Sequence, residues 1–317
     1  MRGQCGWLML MVAVTTCSNA QNIRKLVTIA TPVRIRNVSV CGPSGLAAGL
    51  ARNGSVYIWR LPSGELASNR PAEDGVTSLA CSPDGKWLAI GKGDGSVVVA
   101  ETSGKPAQTL AVGRRVSDLA FSPDGSLLAV SVDEAPVQLW NPAQGSRVAV
   151  LKTDFSGSTS MGFSPDSTWL ATADADTAVR IYDRNGELKA TYSDLLLEPF
   201  AISFMPDGKH VVIGGADCIL TILNASDAHV VRQLPKQPDP IFWVTALPDG
   251  MALVSLHIDA ARLAKFTTVL WDIQTGGRTE LPIDGAHIVG YGTAAGRKAV
   301  LFTADSDSSL TTWIFSR

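Results

Sequence analysis

The residues able to do chemistry are few, and their spacing is poor for it. The four histidines, His210, His229, His257 and His287, include no pair at the short separations that put two ligands on one face of an element, so no metal site is expected. Asp174/Asp176 and Asp305/Asp307 offer the residue types of a general acid and base. No Gly-x-Ser-x-Gly elbow supplies a nucleophile. No Gly-x-x-x-x-Gly-Lys loop cradles a phosphate, and Gly91-Lys92-Gly93-Asp94-Gly95 reads as a hairpin turn. Neither a catalytic residue nor a cofactor is expected, and the chain is read as a non-enzyme. With 27 basic and 29 acidic side chains the formal charge is −2, which leaves no electrostatic footprint for nucleic acid or an anionic membrane surface.

The elements that hold these residues repeat. Ser82-Pro83-Asp84-Gly85, Ser122-Pro123-Asp124-Gly125, Ser164-Pro165-Asp166-Ser167, Met205-Pro206-Asp207-Gly208 and Leu247-Pro248-Asp249-Gly250 place their prolines 40, 42, 41 and 42 residues apart. Each is a turn by mechanism: proline presets φ, Asp bonds the local backbone, and Gly takes the left-handed position. One period back stands Gly42-Pro43-Ser44-Gly45, and one period forward Thr293-Ala294-Ala295-Gly296, which makes seven units. Apolar residues alternate at period two on both sides of each turn, as in Leu127-Leu128-Ala129-Val130-Ser131, the pattern of antiparallel strands. A third strand follows, such as Val137-Gln138-Leu139-Trp140, and a fourth, such as Arg147-Val148-Ala149-Val150-Leu151. Asn53, Asp94, Asp133, Asp176, Asp217 and Asp307 recur in the hairpin between second and third strands, where they are read as structural turn residues; this explains the two carboxylate pairs. About 40 residues forming a four-stranded sheet is the arithmetic of a propeller blade.

On these turns, on Trp271-Asp272, Tyr182-Asp183 and Trp140-Asn141, and on the Asp series, the chain resembles the WD-repeat (WD40) family, of a degenerate secreted bacterial type. The resemblance implies an all-β, seven-bladed propeller that binds a protein or peptide. It departs from the family in lacking the Gly-His pair ahead of the first strand, so the buried hydrogen-bond tetrad built on that histidine is not expected in its usual form. Only four residues follow Trp313, so the last blade lacks its outer strand, and the apolar stretch Lys25-Leu26-Val27-Thr28-Ile29-Ala30 is expected to supply it against 309–315.

Residues 1–20 read as a signal peptide, from Arg2, the apolar run Trp7 to Val14 and the small residues Ser18-Asn19-Ala20; residues 21–317 form the propeller. The run is too short to span a membrane. Val14-Thr15-Thr16-Cys17 resembles a lipobox, so an alternative is a lipid anchor at Cys17. Either way the protein is expected outside the cytoplasm, periplasmic or secreted, and as a monomer. Cys41, Cys81 and Cys218 remain, an odd and widely spaced set that does not read as a disulfide framework. Cys41 and Cys81 are assigned the slot of Phe121, Phe163 and Phe204, as small buried hydrophobes with inert thiols.

The expected role is a non-catalytic interaction scaffold. Its partner site is placed on the face carrying the inter-blade links, at Phe155, Leu196, Phe200, Phe242 and Phe266, where links and one hairpin exceed the repeat's minimum length. The rival readings are a propeller enzyme or small-molecule binder of the sugar-lactone hydrolase kind, working from the channel, and an envelope-assembly propeller.

Overall fold

A computed structural model describes residues 22–103, 105–153, 157–258, 266–281, 283, 287–294, 298–304 and 309–316. Seven four-stranded antiparallel sheets follow one another around a ring. Blades one to six span 35–70, 76–111, 116–150, 158–192, 199–233 and 241–280, each with strands in sequential order from the axis outward. Blade seven takes three strands from 287–316, and Asn22–Ala30 adds the fourth. That strand pairs antiparallel with Ser309–Ser316, Lys25 opposite Trp313 and Ala30 opposite Ser309, so the ring is closed by joining the two ends of the chain.

The alternation that makes strands also makes the core. Each sheet presents its apolar positions to the next sheet, so the buried clusters straddle neighbouring blades. Ile181, Val179 and Ala171 of blade four pack with Ile202, Phe204 and Ile213 of blade five, and Ile29 and Phe302 of blade seven pack with Ile35 and Trp59 of blade one. Burying each such large side chain stabilises by roughly 1.5–3 kcal/mol, and closure is what lets the blade-seven members gain it.

The Pro-Asp turns lock by a repeated hydrogen-bond set. Ser82 Oγ donates to Asp84 Oδ1 at 2.6 Å and accepts the Trp87 N–H at 2.9 Å. Ser122 with Asp124 and Leu127, and Ser164 with Asp166 and Trp169, repeat it. Ser167 stands where the other turns have glycine and adopts φ 62°. Its buried hydroxyl accepts the Asp124 N–H of the preceding blade at 2.9 Å, an inter-blade bond glycine could not make.

One expectation is overturned. Cys41 and Cys81 are not free thiols: they form a disulfide joining blades one and two, with Cα atoms 5.0 Å apart. Cys81 ends the inner strand of blade two, opposite Leu88, the slot assigned to it. Cys41 lies one position further, in the serine slot: its N–H donates to Leu46 O as that of Ser82 does to Trp87 O. That one-residue offset brings the two sulfurs together between blades. Cys218 is a buried free cysteine.

Candidate interaction surface

The hairpins between second and third strands carry the recurrent acids. Asn53, Asp94, Asp176 and Asp217 each accept the N–H two residues on, from Ser55, Ser96, Ala178 and Ile219, at 2.9 to 3.3 Å. Asp133 differs. Its hairpin is shorter, with Val132 paired to Ala135, and its carboxylate instead meets the Arg115 guanidinium of the adjoining link at 3.0 Å. Asp307 and Asp305 lie outside the described residues.

Behind these hairpins blades three, four and six each improvise a polar lock. In blade six, Trp271 Nε1 donates to Ser255 Oγ at 2.8 Å, and Ser255 Oγ lies 2.8 Å from His257 Nε2. The histidine comes from the second strand rather than from a Gly-His pair, and burial pushes its pKa down. Blade three uses Gln138, which accepts from Trp140 Nε1 and donates to Val112 O. Blade four uses an ion cluster: Arg180 reaches Asp174 and Asp176, both at 2.6 Å, with Asp174 and Arg180 nearly enclosed. Burial raises the Asp174 carboxyl, whereas the Arg180 hydrogen bonds hold Asp176 below the usual range. The two carboxylates share one cation and brace the blade.

The inner strands share a feature that organises the link face. In every blade the register skips one residue near the start of the inner strand, at Arg36, Thr77, Ser117, Thr159, Phe200, Phe242 and 289. A bulged residue is left out of the pairing ladder, and these positions recur as a ring at the link-face end of the inner strands. The ring is polar in blades one to four and aromatic in blades five and six.

Phe200 and Phe242 stack, with ring centroids 4.7 Å apart and planes 11° apart. Phe242 is 40% exposed. The Leu195-Leu196-Leu197 link divides its labour: Leu195 packs on the core between blades four and five, Leu196 is 89% exposed, and Leu197 is half exposed. Leu196 and Leu197 thus leave apolar surface on the link that leads into the strand carrying Phe200. Asp194, Glu198, Asp217 and Asp239 lie on the same links and hairpin. Phe266, partly buried, pairs with Ile258 at the base of the long blade-six hairpin. Phe155 lies outside the described residues.

Of the five residues selected from the sequence, the fold therefore brings Phe200 and Phe242 into contact and leaves Leu196 exposed on the link ahead of Phe200. The ring of bulges was missed. Its only signal is the residue type at one position per repeat, visible once the blades are aligned by their pairing rather than by their turns.

Three segments of the chain, residues 64–99, 104–134 and 145–183, match the model of the WD40 family, WD domain, G-beta repeat. Each begins at or just before the outer strand of one blade and continues into the next, so the repeat is offset from the blade by one strand. Among the curated proteins there is no match. The segments span blades one to four, and the same topology continues through blade seven.

Proposed function

We propose that this WD-repeat β-propeller is a non-catalytic, extracytoplasmic interaction scaffold whose protein partner docks on the link face at blades five and six. The observation that carries this reading is the Phe200–Phe242 stack, with the exposed Leu196 on the link ahead of Phe200. Rigid exposed aromatics on a stiff scaffold are what interfaces use as anchors, because they bury much area at small entropic cost. WD-repeat propellers typically bind proteins, and the patch sits on the face where loops vary most freely.

The compartment is supported by two separate features. The N-terminal run with its small-residue end has the make-up of an export signal, and a disulfide such as Cys41–Cys81 persists where thiols are not kept reduced. A tagged chain should fractionate outside the cytoplasm, and N-terminal sequencing should find Gln21 or an acylated Cys17. Soluble cytoplasmic protein retaining Met1 would contradict both versions.

The binding claim is tested by Phe200→Ser with Phe242→Ser. Two anchors at roughly 1.5–3 kcal/mol each should weaken partner binding about a hundredfold or more. The melting temperature should change little, since both rings lie at the surface rather than in a blade core. Lost stability with retained binding would return the rings to the core and end the proposal.

A further inference from the structure

A central channel of about 860 Å³ is lined by the inner strands of blades one to six and, toward the turn face, by Pro123, Pro165, Pro206 and Pro248. That volume suits a small ligand. Its lining is layered. One residue inside the ring of bulges, Asn37 and Asp118 reach the channel. The next position is an apolar collar, Val38, Leu79, Leu119, Met161, Ile202 and Val244, one from each of blades one to six.

Two acceptors of the polar layer are under-used. Asn37 Oδ1 is buried and has no hydrogen-bond partner among the described residues. Asp118 accepts one bond, from the Leu119 N–H at 2.8 Å. No cation among the described residues offsets its charge, and burial pushes its carboxyl up to about 6. Arg36, the other charged side chain lining the channel, is committed to the Val76 carbonyl and is repelled by Arg115. A buried acceptor without a donor costs roughly 1–3 kcal/mol, and an uncompensated charge more. Proteins keep such groups where something else supplies the donors.

We propose that the channel binds the ammonium group of an aliphatic amine. Asp118 and Asn37 Oδ1 accept its N–H donors, and its hydrocarbon chain lies along the collar of Val38, Leu79, Leu119, Met161, Ile202 and Val244. A charge-assisted pair formed in a confined channel is stronger than the same pair in open water, and the collar rewards a chain of four to six carbons over ammonia itself. The same chemistry has two sources, a free amine or a lysine side chain presented by a partner.

The test is calorimetric titration of the full propeller with n-hexylammonium, 1-hexanol and hexanoate. Hexylammonium should bind at least tenfold more tightly than the alcohol, with hexanoate weakest. Asp118→Asn should reduce it to the level of the alcohol while leaving the fold at least as stable as before, a combination that a bracing role would not give. Asn37→Ala should weaken it about fivefold and provides the same reading if Asp118→Asn fails to fold. Equal binding of the three probes, or unchanged hexylammonium affinity in the folded variants, would show a water-filled channel and overturn the proposal. A heptapeptide with one lysine and a capped N-terminus that binds more tightly than hexylammonium would assign the amine to a partner chain. The reverse order would assign it to a free metabolite. None of these outcomes depends on Phe200 or Phe242.

Discussion

At the scale of single residues the molecule is marked by two carboxylates, Asp118 partly buried and Asp174 nearly enclosed, in opposite circumstances. Asp118 lacks a cation, and its folded pKa of about 6 lies above the unfolded aspartate value. The folded chain therefore holds that proton more tightly, so stability is greatest at low pH and falls as pH rises from about 4 to about 6, then stays flat. Asp118→Asn removes the ionisation. It should stabilise the protein by about 2 kcal/mol at pH 7.5 and by almost nothing near pH 4, measured by urea denaturation at the two pH values. Asp174 has its cation in Arg180, and breaking that pair strands the charge. Arg180→Ala should cost about 3–5 kcal/mol at pH 7.5; a loss under 1 kcal/mol would mean that the cluster is solvated. Neither environment is written in the sequence. Asp118 sits in a strand pattern that reads as alternating, and nothing in Ser117-Asp118-Leu119 says that the residue lines the channel.

At the scale of elements, the strands, their order and the closure were legible, because turn chemistry and period-two alternation act locally and repeat at a fixed spacing. The Lys25–Ala30 stretch is recognisable as the missing outer strand because every other blade has four. Removing residues 21–31 should expose the edge of Ser309–Ser316 and the Phe302 side of the core. The truncated chain should then lose solubility and cooperative melting, and a melt identical to that of the longer chain would contradict closure. The disulfide was not legible: it depends on a one-residue offset at a turn that has proline and glycine but no aspartate, and only the pairing of Cys41 with Leu46 reveals it. Cys41→Ser with Cys81→Ser should lower stability by about 2–4 kcal/mol, given the 40-residue separation of the two sulfurs along the chain. The bulged positions were equally hidden, since a bulge is a property of pairing, yet Phe200 and Phe242, which stack, occupy two of them.

At the scale of the whole molecule the propeller presents two unlike faces. Ordered turns with repeated Ser–Asp locks cover one. Links and hairpins of uneven length cover the other, which carries its exposed apolar side chains beside blades five and six and its basic residues Arg36, Arg114 and Arg115 beside blades one to three. Such a face can orient a partner as well as hold it. The central claim is that the partner is held at the Phe200–Phe242–Leu196 patch. The most direct measurement is quantitative affinity purification from the native envelope fraction, with the original chain and the Phe200→Ser, Phe242→Ser double variant as parallel baits at equal folded concentration. A specific co-purifying protein should be depleted at least tenfold with the variant and restored by Phe200→Tyr with Phe242→Tyr, which keeps the rings. Equal recovery with both baits would contradict the claim.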